Sequence, residues 1–460
     1  MKRLMAGCVF GILVTRIVAQ EGVVDLTNLA NYANQPIPAY ITRDNTPGNN
    51  PITNIGATLG RVLFYDKRLS KNDTVSCSSC HQQEHAFTDQ DVASTGVAGT
   101  TGRHSMRLIN PRFSAERKFF WDERATSVED QSTKPIQDHV EMGFSGADGD
   151  PTLANLITKL SAIEEYQVLF TGVYGTPVIT EQRMQRAMAQ FVRSIQSFDS
   201  KYDTGRSSAV DDNAPFTNFT AEENAGKQLF MAPPGGGGPG GPPPGAGCAG
   251  CHRAPEFDID PNSGNNGVVG SLLGGNDFTN TRSPSLRDLV DASGTPHTGF
   301  MHNASLTSLL DVVNHYNAIP AVVTGLDPRL QRPPGQPQQL NLNQTQKDSL
   351  VAFLNTLTGV SVYTDTKWSD PFNIINQLSM IVLPLNTDSV SFSGVGAARE
   401  VTVTSVGVPN VAYIFQSSTD MITWTSTSVT ASTTGELTMT VSAPETDAMC
   451  YYRYAYAPGP

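Results

Sequence analysis

Basic clusters are missing from this sequence: 31 Lys and Arg are scattered among 43 Asp and Glu, a formal charge of −12 over 460 residues. Without clustered cations a chain has little with which to hold a phosphate backbone, which disfavours nucleic acid as a partner. Beyond the N-terminus no run reaches the roughly 18 apolar residues that a membrane span needs, so none is expected. The apolar-polar alternation of strands is nearly absent before Pro384. Cysteine is scarce as well, six in all.

What is present is uneven. The length exceeds one ordinary core and sets an expectation of roughly two to four domains. The opening stretch MKRLMAGCVFGILVTRIVAQEG combines Lys2 and Arg3 with an apolar run from Leu4 to Val14 and a cleavage site near Ile17-Val18-Ala19. Residues 1–20 therefore read as a signal peptide, and the mature protein is expected to be periplasmic or exported.

Four of the cysteines form two copies of one pattern, Cys77-Ser-Ser-Cys80-His81 and Cys248-Ala-Gly-Cys251-His252. Outside the cytoplasm cysteines usually form disulfides. A pair of Cys-x-x-Cys motifs can also hold structural zinc, although a four-thiolate site has no use for the histidine that follows each pair. Covalent haem attachment uses all three residues: both thiols form thioethers to the porphyrin vinyls and the histidine becomes the proximal iron ligand. Haem attachment is the reading carried forward, with a redox-active dithiol as its alternative. Cys450 stands apart as a lone thiol, expected to be buried.

Around these motifs, residues 21–200 make up a first domain ending in an amphipathic helix from Thr180 as N-cap to Phe198, with Met184, Met188, Phe191, Val192 and Ile195 on one face. A second domain, 201–370, contains amphipathic helices at Leu306–Tyr316 and from Thr345 to Leu357, the latter stopped by Gly359. Just before its motif lies a Gly/Pro-rich insert, 233–247, read as a surface loop. Residues 385–460 alternate apolar and polar side chains between turn residues, as in VTVTSVG and GELTMTVSA, and read as a small β-sandwich-like module.

The stretches LGRVLFYDKRLSKNDTVSCSSCH, HAFTD, FFWDERATSVEDQSTKPIQDHVEMG, CAGCH, SPSLRDL and FMHNASLTSLLDVVNHYN resemble the dihaem cytochrome c peroxidase family, which includes the MauG-like enzymes. The resemblance implies a mainly α fold of two cytochrome c-like haem domains carrying two covalently bound c-type haems, with the β-module appended. It makes Cys77, Cys80 and His81 the holders of the peroxidatic haem, and Cys248, Cys251 and His252 those of an electron-transfer haem. Glu141 falls at the family's catalytic glutamate and Gln131 at its distal glutamine. A carboxylate can shuttle a proton between peroxide oxygens, whereas an amide can only orient and polarise. Trp121 corresponds to the tryptophan between the haems, while Phe120, Arg124 and Pro135 would line the pocket. Tyr316 falls at the sixth ligand of the second haem, with Met301 the alternative, and His302 would sit near that haem.

Three departures accompany the resemblance. The family's calcium site uses an asparagine where this chain has His104, and the segment DASGTPHTGF before Met301 is longer than usual, so calcium is doubtful. No histidine falls where some peroxidases place a displaceable ligand on the first haem, His85 and His104 being the nearby candidates. The function expected is an exported peroxidase reducing hydrogen peroxide to water with electrons relayed through the second haem. The alternatives are a MauG-like oxidase of a protein partner and a non-catalytic dihaem electron carrier. The partners implied are hydrogen peroxide and either a small electron-donor redox protein or an oxidisable protein; sequence leaves the oligomeric state open.

Overall fold

The computed structural model describes residues 22–234, 245–385, 389–394, 399–442 and 450–458. The stretch read as a signal peptide and most of the Gly/Pro-rich insert lie outside the described residues.

Two helix crossings organise the region before Pro384. In the first, Asn54–Tyr65 packs on Glu181–Ser194. Thr53 starts one helix by accepting from the Gly56 amide at 3.0 Å, and Thr180 starts the other by accepting from Arg183 at 3.2 Å. The axes approach so closely at Gly60 that a Cβ there would collide with the carbonyl of Ala187. In the second crossing Ala221–Met231 packs on Gln344–Asn355, and Gly226 meets the carbonyl of Ser349 in the same way. Each crossing anchors its own buried cluster: Leu63, Phe64, Met188 and Phe191 in the first, Phe230, Phe257, Leu350 and Phe353 in the second.

Tertiary contacts trim the expected helices. Glu181–Ser194 stops short of Phe198 because Ile195 is extended, its carbonyl taking the Asn110 amide at 3.1 Å while Asn110 Oδ1 takes the Ser197 amide at 2.9 Å. The helix expected from Leu306 runs over Leu309–Asn317, capped by Ser308. Apart from these and other short helices, regular structure between residues 54 and 355 is limited, among the described residues, to small ribbons such as Thr95–Gly96 with Gly99–Thr100 and His252–Arg253 with Asp258–Ile259.

The C-terminal strands form a five-stranded and a three-stranded sheet. Met380–Leu383 belongs to the larger one, paired parallel with Val23–Asp25 and antiparallel with Tyr451–Tyr456. Tyr413, Phe415, Tyr454, Val403 and Leu437 are buried in the same cluster as the first helix crossing, and Tyr456 donates its hydroxyl to Glu164 at 3.0 Å. Cys450, expected to be buried, is only half-buried beside Tyr452.

Candidate functional site

The first motif occupies a single helical turn, Cys77–Cys80, after which the His81 amide bonds the Cys77 carbonyl at 3.0 Å. Ala86 and Phe87 adopt left-handed backbone at φ 57° and 56°, reversing the chain so that the Phe87 carbonyl faces the His81 ring. His81 Nδ1 lies 2.9 Å from that oxygen. A carbonyl can only accept, so Nδ1 carries the hydrogen and Nε2 keeps its lone pair. Burial holds the imidazole neutral, as metal ligation requires.

His81, Cys77 and Cys80 line a cavity of ≈ 540 Å³, and Trp121, Gln131 and Glu141 line it too, a size in the usual range for ligand pockets. Burial pushes both thiols up to about 12. A redox-active dithiol needs the reverse, a lowered thiol pKa, so the dithiol alternative loses support.

Glu141 reaches this cavity from a tight turn. Asp138 Oδ1 accepts from the Val140 and Glu141 amides at 2.8 and 3.0 Å, and the Glu141 carbonyl takes the Val97 amide at 3.1 Å. The carboxyl is pushed up to about 7, first by burial and then by Asp138, with Arg124 pulling the other way. Gln131 stands on the helix Val128–Ser132, capped by Ser127 at 3.1 Å. Arg124 stacks 3.6 Å over Phe120, and both line the cavity with Pro135.

The second motif turns differently. Cys248–Gly250 is a 3₁₀ turn and His252 enters a ribbon. Cys248, Cys251 and His252 line a cavity of ≈ 430 Å³ together with Met301 and Tyr316. Burial pushes Cys248 up to about 12, Cys251 up to about 11, and His252 down to about 4, the last with help from Arg329. His252 Nδ1 is buried without a hydrogen-bond partner. Asn266 bonds both candidate ligands: Nδ2 donates to Met301 Sδ at 3.2 Å, and the Tyr316 hydroxyl is hydrogen-bonded to the same side chain.

Trp121 lines both cavities. Its Nε1 donates to the His104 carbonyl at 2.7 Å, its own carbonyl takes the Thr281 amide at 2.9 Å, and its ring meets His302 edge-on at 6.3 Å. The His104 amide in turn bonds the His302 carbonyl at 2.7 Å. His104 does not offer a free ring nitrogen: Nδ1 lies 3.1 Å from the Asp91 carbonyl and Nε2 3.1 Å from Thr88 Oγ1. His85 packs on His297 at 5.8 Å between ring centres.

Of the residues singled out in the sequence as site candidates, all but His85 and His302 line one of two cavities that share a wall. Sequence reasoning missed Asp138, whose spacing before Glu141 is a turn signal, and Asn266 and Arg107, which carried no pattern. Among the described residues no group of three or more His, Cys, Asp or Glu side chains could hold a metal, so the four thiols do not converge as a zinc site would require. A haem fits each cavity better: paired neutral thiols beside a neutral, buried histidine in a space of ligand size.

Known proteins similar to this chain include dihaem peroxidases and MauG-like proteins. Residues 55–209 match the family described as di-haem cytochrome c peroxidase. A methylamine utilization protein MauG from Methylophilus methylotrophus is 27% identical over 351 residues, covering 73% of this chain and 92% of that protein. A cytochrome c551 peroxidase from Nitrosomonas europaea is 26% identical over 376 residues, covering 78% of this chain and 92% of the relative. Among solved structures, a MauG-like protein associated with microbial copper homeostasis matches with a TM-score of 0.56 at 26% identity, covering 74% of this chain and 99% of the other.

Proposed function

Because the chain belongs to the di-haem cytochrome c peroxidase family, we propose that this oxidoreductase is an exported enzyme that reduces hydrogen peroxide to water in the cavity of His81. The observation that carries the proposal is the position of Glu141: a half-neutral carboxyl in the same cavity as two neutral thiols and a neutral histidine whose Nδ1 is tied to the Phe87 carbonyl. Cys77, Cys80 and His81 hold one c-type haem and Cys248, Cys251 and His252 the other, in two cytochrome c-like domains, with the five- and three-stranded sheets as facing layers of a sandwich. When bound, the haems supply the electrons for cleavage of the O–O bond and the means of passing them between the cavities.

The chain's own residues manage the protons. The Glu141 carboxylate takes the proton of one peroxide oxygen and returns it to the other, which then leaves as water; a group titrating near neutrality suits both transfers. Gln131 orients the peroxide by hydrogen bonding and cannot exchange a proton. His81 Nδ1–H, fixed on the Phe87 carbonyl, sets the tautomer that presents Nε2 to iron. Trp121, held by His104 below and Thr281 behind, is the side chain best placed to relay charge between the cavities.

A second reading has its own observation. Tyr316 and Met301 both line the second cavity. A phenolate favours the ferric and higher states of iron and a thioether the ferrous, so ligation by Tyr316 would make the chain a MauG-like oxidase of a protein partner. Without a small donor protein or an oxidisable partner the enzyme would not turn over. The deciding experiment is the absorption and EPR spectrum of the purified ferric protein before and after one equivalent of peroxide. One high-spin and one low-spin haem, both altered by peroxide without prior reduction, would support the second reading. Two low-spin haems that respond only after half-reduction would support the donor-fed peroxidase, and no response in either state would leave only electron transfer.

A further inference from the structure

Three arginines are buried in the two cores, and each faces a carboxylate, although Arg287 Nε has no partner of its own. Arg193 pairs with Glu129 at 2.6 Å and Arg287 with Asp203 at 2.9 Å. Arg282 faces Asp258 at 3.8 Å and donates to Glu116 O and Ser114 Oγ, each at 3.2 Å. Arg107 differs. Its guanidinium makes one hydrogen bond, from Nη2 to the Ser285 carbonyl at 3.2 Å, and its Nε is buried without a partner. No carboxylate among the described residues forms an ion pair with it. Asp288 opposes its charge without an ion pair: one carboxylate oxygen takes the Gly359 amide at 2.8 Å and the Tyr363 hydroxyl at 2.9 Å, and the other is buried with no hydrogen-bond partner, so it does not reach the guanidinium.

A guanidinium half-withdrawn from water with no counter-charge is costly, and it stays protonated even where its surroundings oppose the charge. The side chain therefore needs an anion that the polypeptide does not supply. Arg107 lines both cavities, and its planar donors suit a carboxylate bound through two oxygens. On the reading that each cavity takes a haem, we infer that Arg107 is an anion anchor on the shared wall, binding a haem propionate from one cavity or from both. The anchor would orient the two prosthetic groups against each other and place one positive charge between them.

The test compares the haem-loaded wild type with R107Q and R107K. Each haem is followed by its reduction midpoint in spectroelectrochemical titration and by the resonance Raman bending modes of its propionates. In R107Q, removal of a nearby positive charge is expected to lower the midpoint of every haem that Arg107 touches and to shift that haem's propionate modes. A change in one haem assigns the carboxylate to that cavity; a change in both assigns a shared anchor. R107K keeps the charge but loses the planar fork, so its midpoints should stay near the wild type while the propionate modes still move; this variant carries the test if R107Q does not accumulate. Unchanged midpoints and modes in a fully loaded R107Q, or unchanged modes in R107K, would overturn the inference alone. A purified wild type with no covalently bound haem would overturn it together with the dihaem reading.

Discussion

Around His81 and around His252 one five-residue pattern is held in two ways. His81 gives Nδ1–H to the Phe87 carbonyl at 2.9 Å, so its tautomer and plane are fixed by the backbone. His252 has no such brace, its Nδ1 being buried and unpartnered. The cavity of His81 is lined by a carboxyl and an amide, Glu141 and Gln131, whereas that of His252 is lined by Met301 and Tyr316, both tied to Asn266. The difference teaches that the motif specifies attachment, while the side chains opposite it specify what the attached group does.

The sharpest way to break this comparison is to remove each histidine in turn. H81G is expected to abolish peroxide turnover, measured as peroxide-dependent oxidation of a reduced donor, because it removes the proximal ligand of the reacting site. H252G should leave the optical response of the first haem to peroxide intact while stopping sustained turnover. A stopped-flow trace in which both variants react alike would dissolve the distinction.

Next in size is Glu141. E141Q should retain both haems and slow turnover by about 10²–10⁴, the usual contribution of a positioned acid-base group; a rate within a few-fold of wild type would remove Glu141 from the mechanism. The same carboxyl predicts a pH signature. Its pKa is raised to about 7 from an ordinary ~4.3, so between those values the folded chain retains a proton that the unfolded chain has lost. Stability should fall as pH rises through that window, while the rate should climb as the carboxylate forms. Denaturation and rate profiles of E141Q should lose both trends.

Smaller effects sharpen the second cavity and the two crossings. Y316F and M301L are compared by low-temperature EPR: only the variant that loses the true sixth ligand should change the low-spin signal. G60A and G226A should each cost about 1–3 kcal/mol by overpacking, read in denaturant unfolding, since each Cβ would meet a carbonyl across a helix pair. If one is neutral, that crossing has room the other lacks.

Much of this was legible in the sequence. The two motifs, the amphipathic faces and the cap at Thr180 all depend on residues near one another in the chain. The end of the helix at Ser194 was not, because Asn110 pulls Ile195 and Ser197 into extended pairing from far away in sequence. Resemblance pointed to Glu141, but its turn depends on Asp138 and its burial on the hairpin at Val97. Arg107 left no trace in the sequence, since an isolated arginine between Met106 and Leu108 declares neither its depth nor its missing partner.

The pairing of Val23–Asp25 with Met380–Leu383, and of the latter with Tyr451–Tyr456, bears on how the molecule is made. Strands from both extremes of the described chain complete one sheet over the first core, so that sheet can close only once both ends of the chain are present together. Such non-local closure is slow compared with local helix formation. The helices around the first motif can therefore form early while the core stays open on one side. That leaves an interval in which Cys77 and Cys80 would be reachable for the proposed haem attachment, before the C-terminal strands cover the first core.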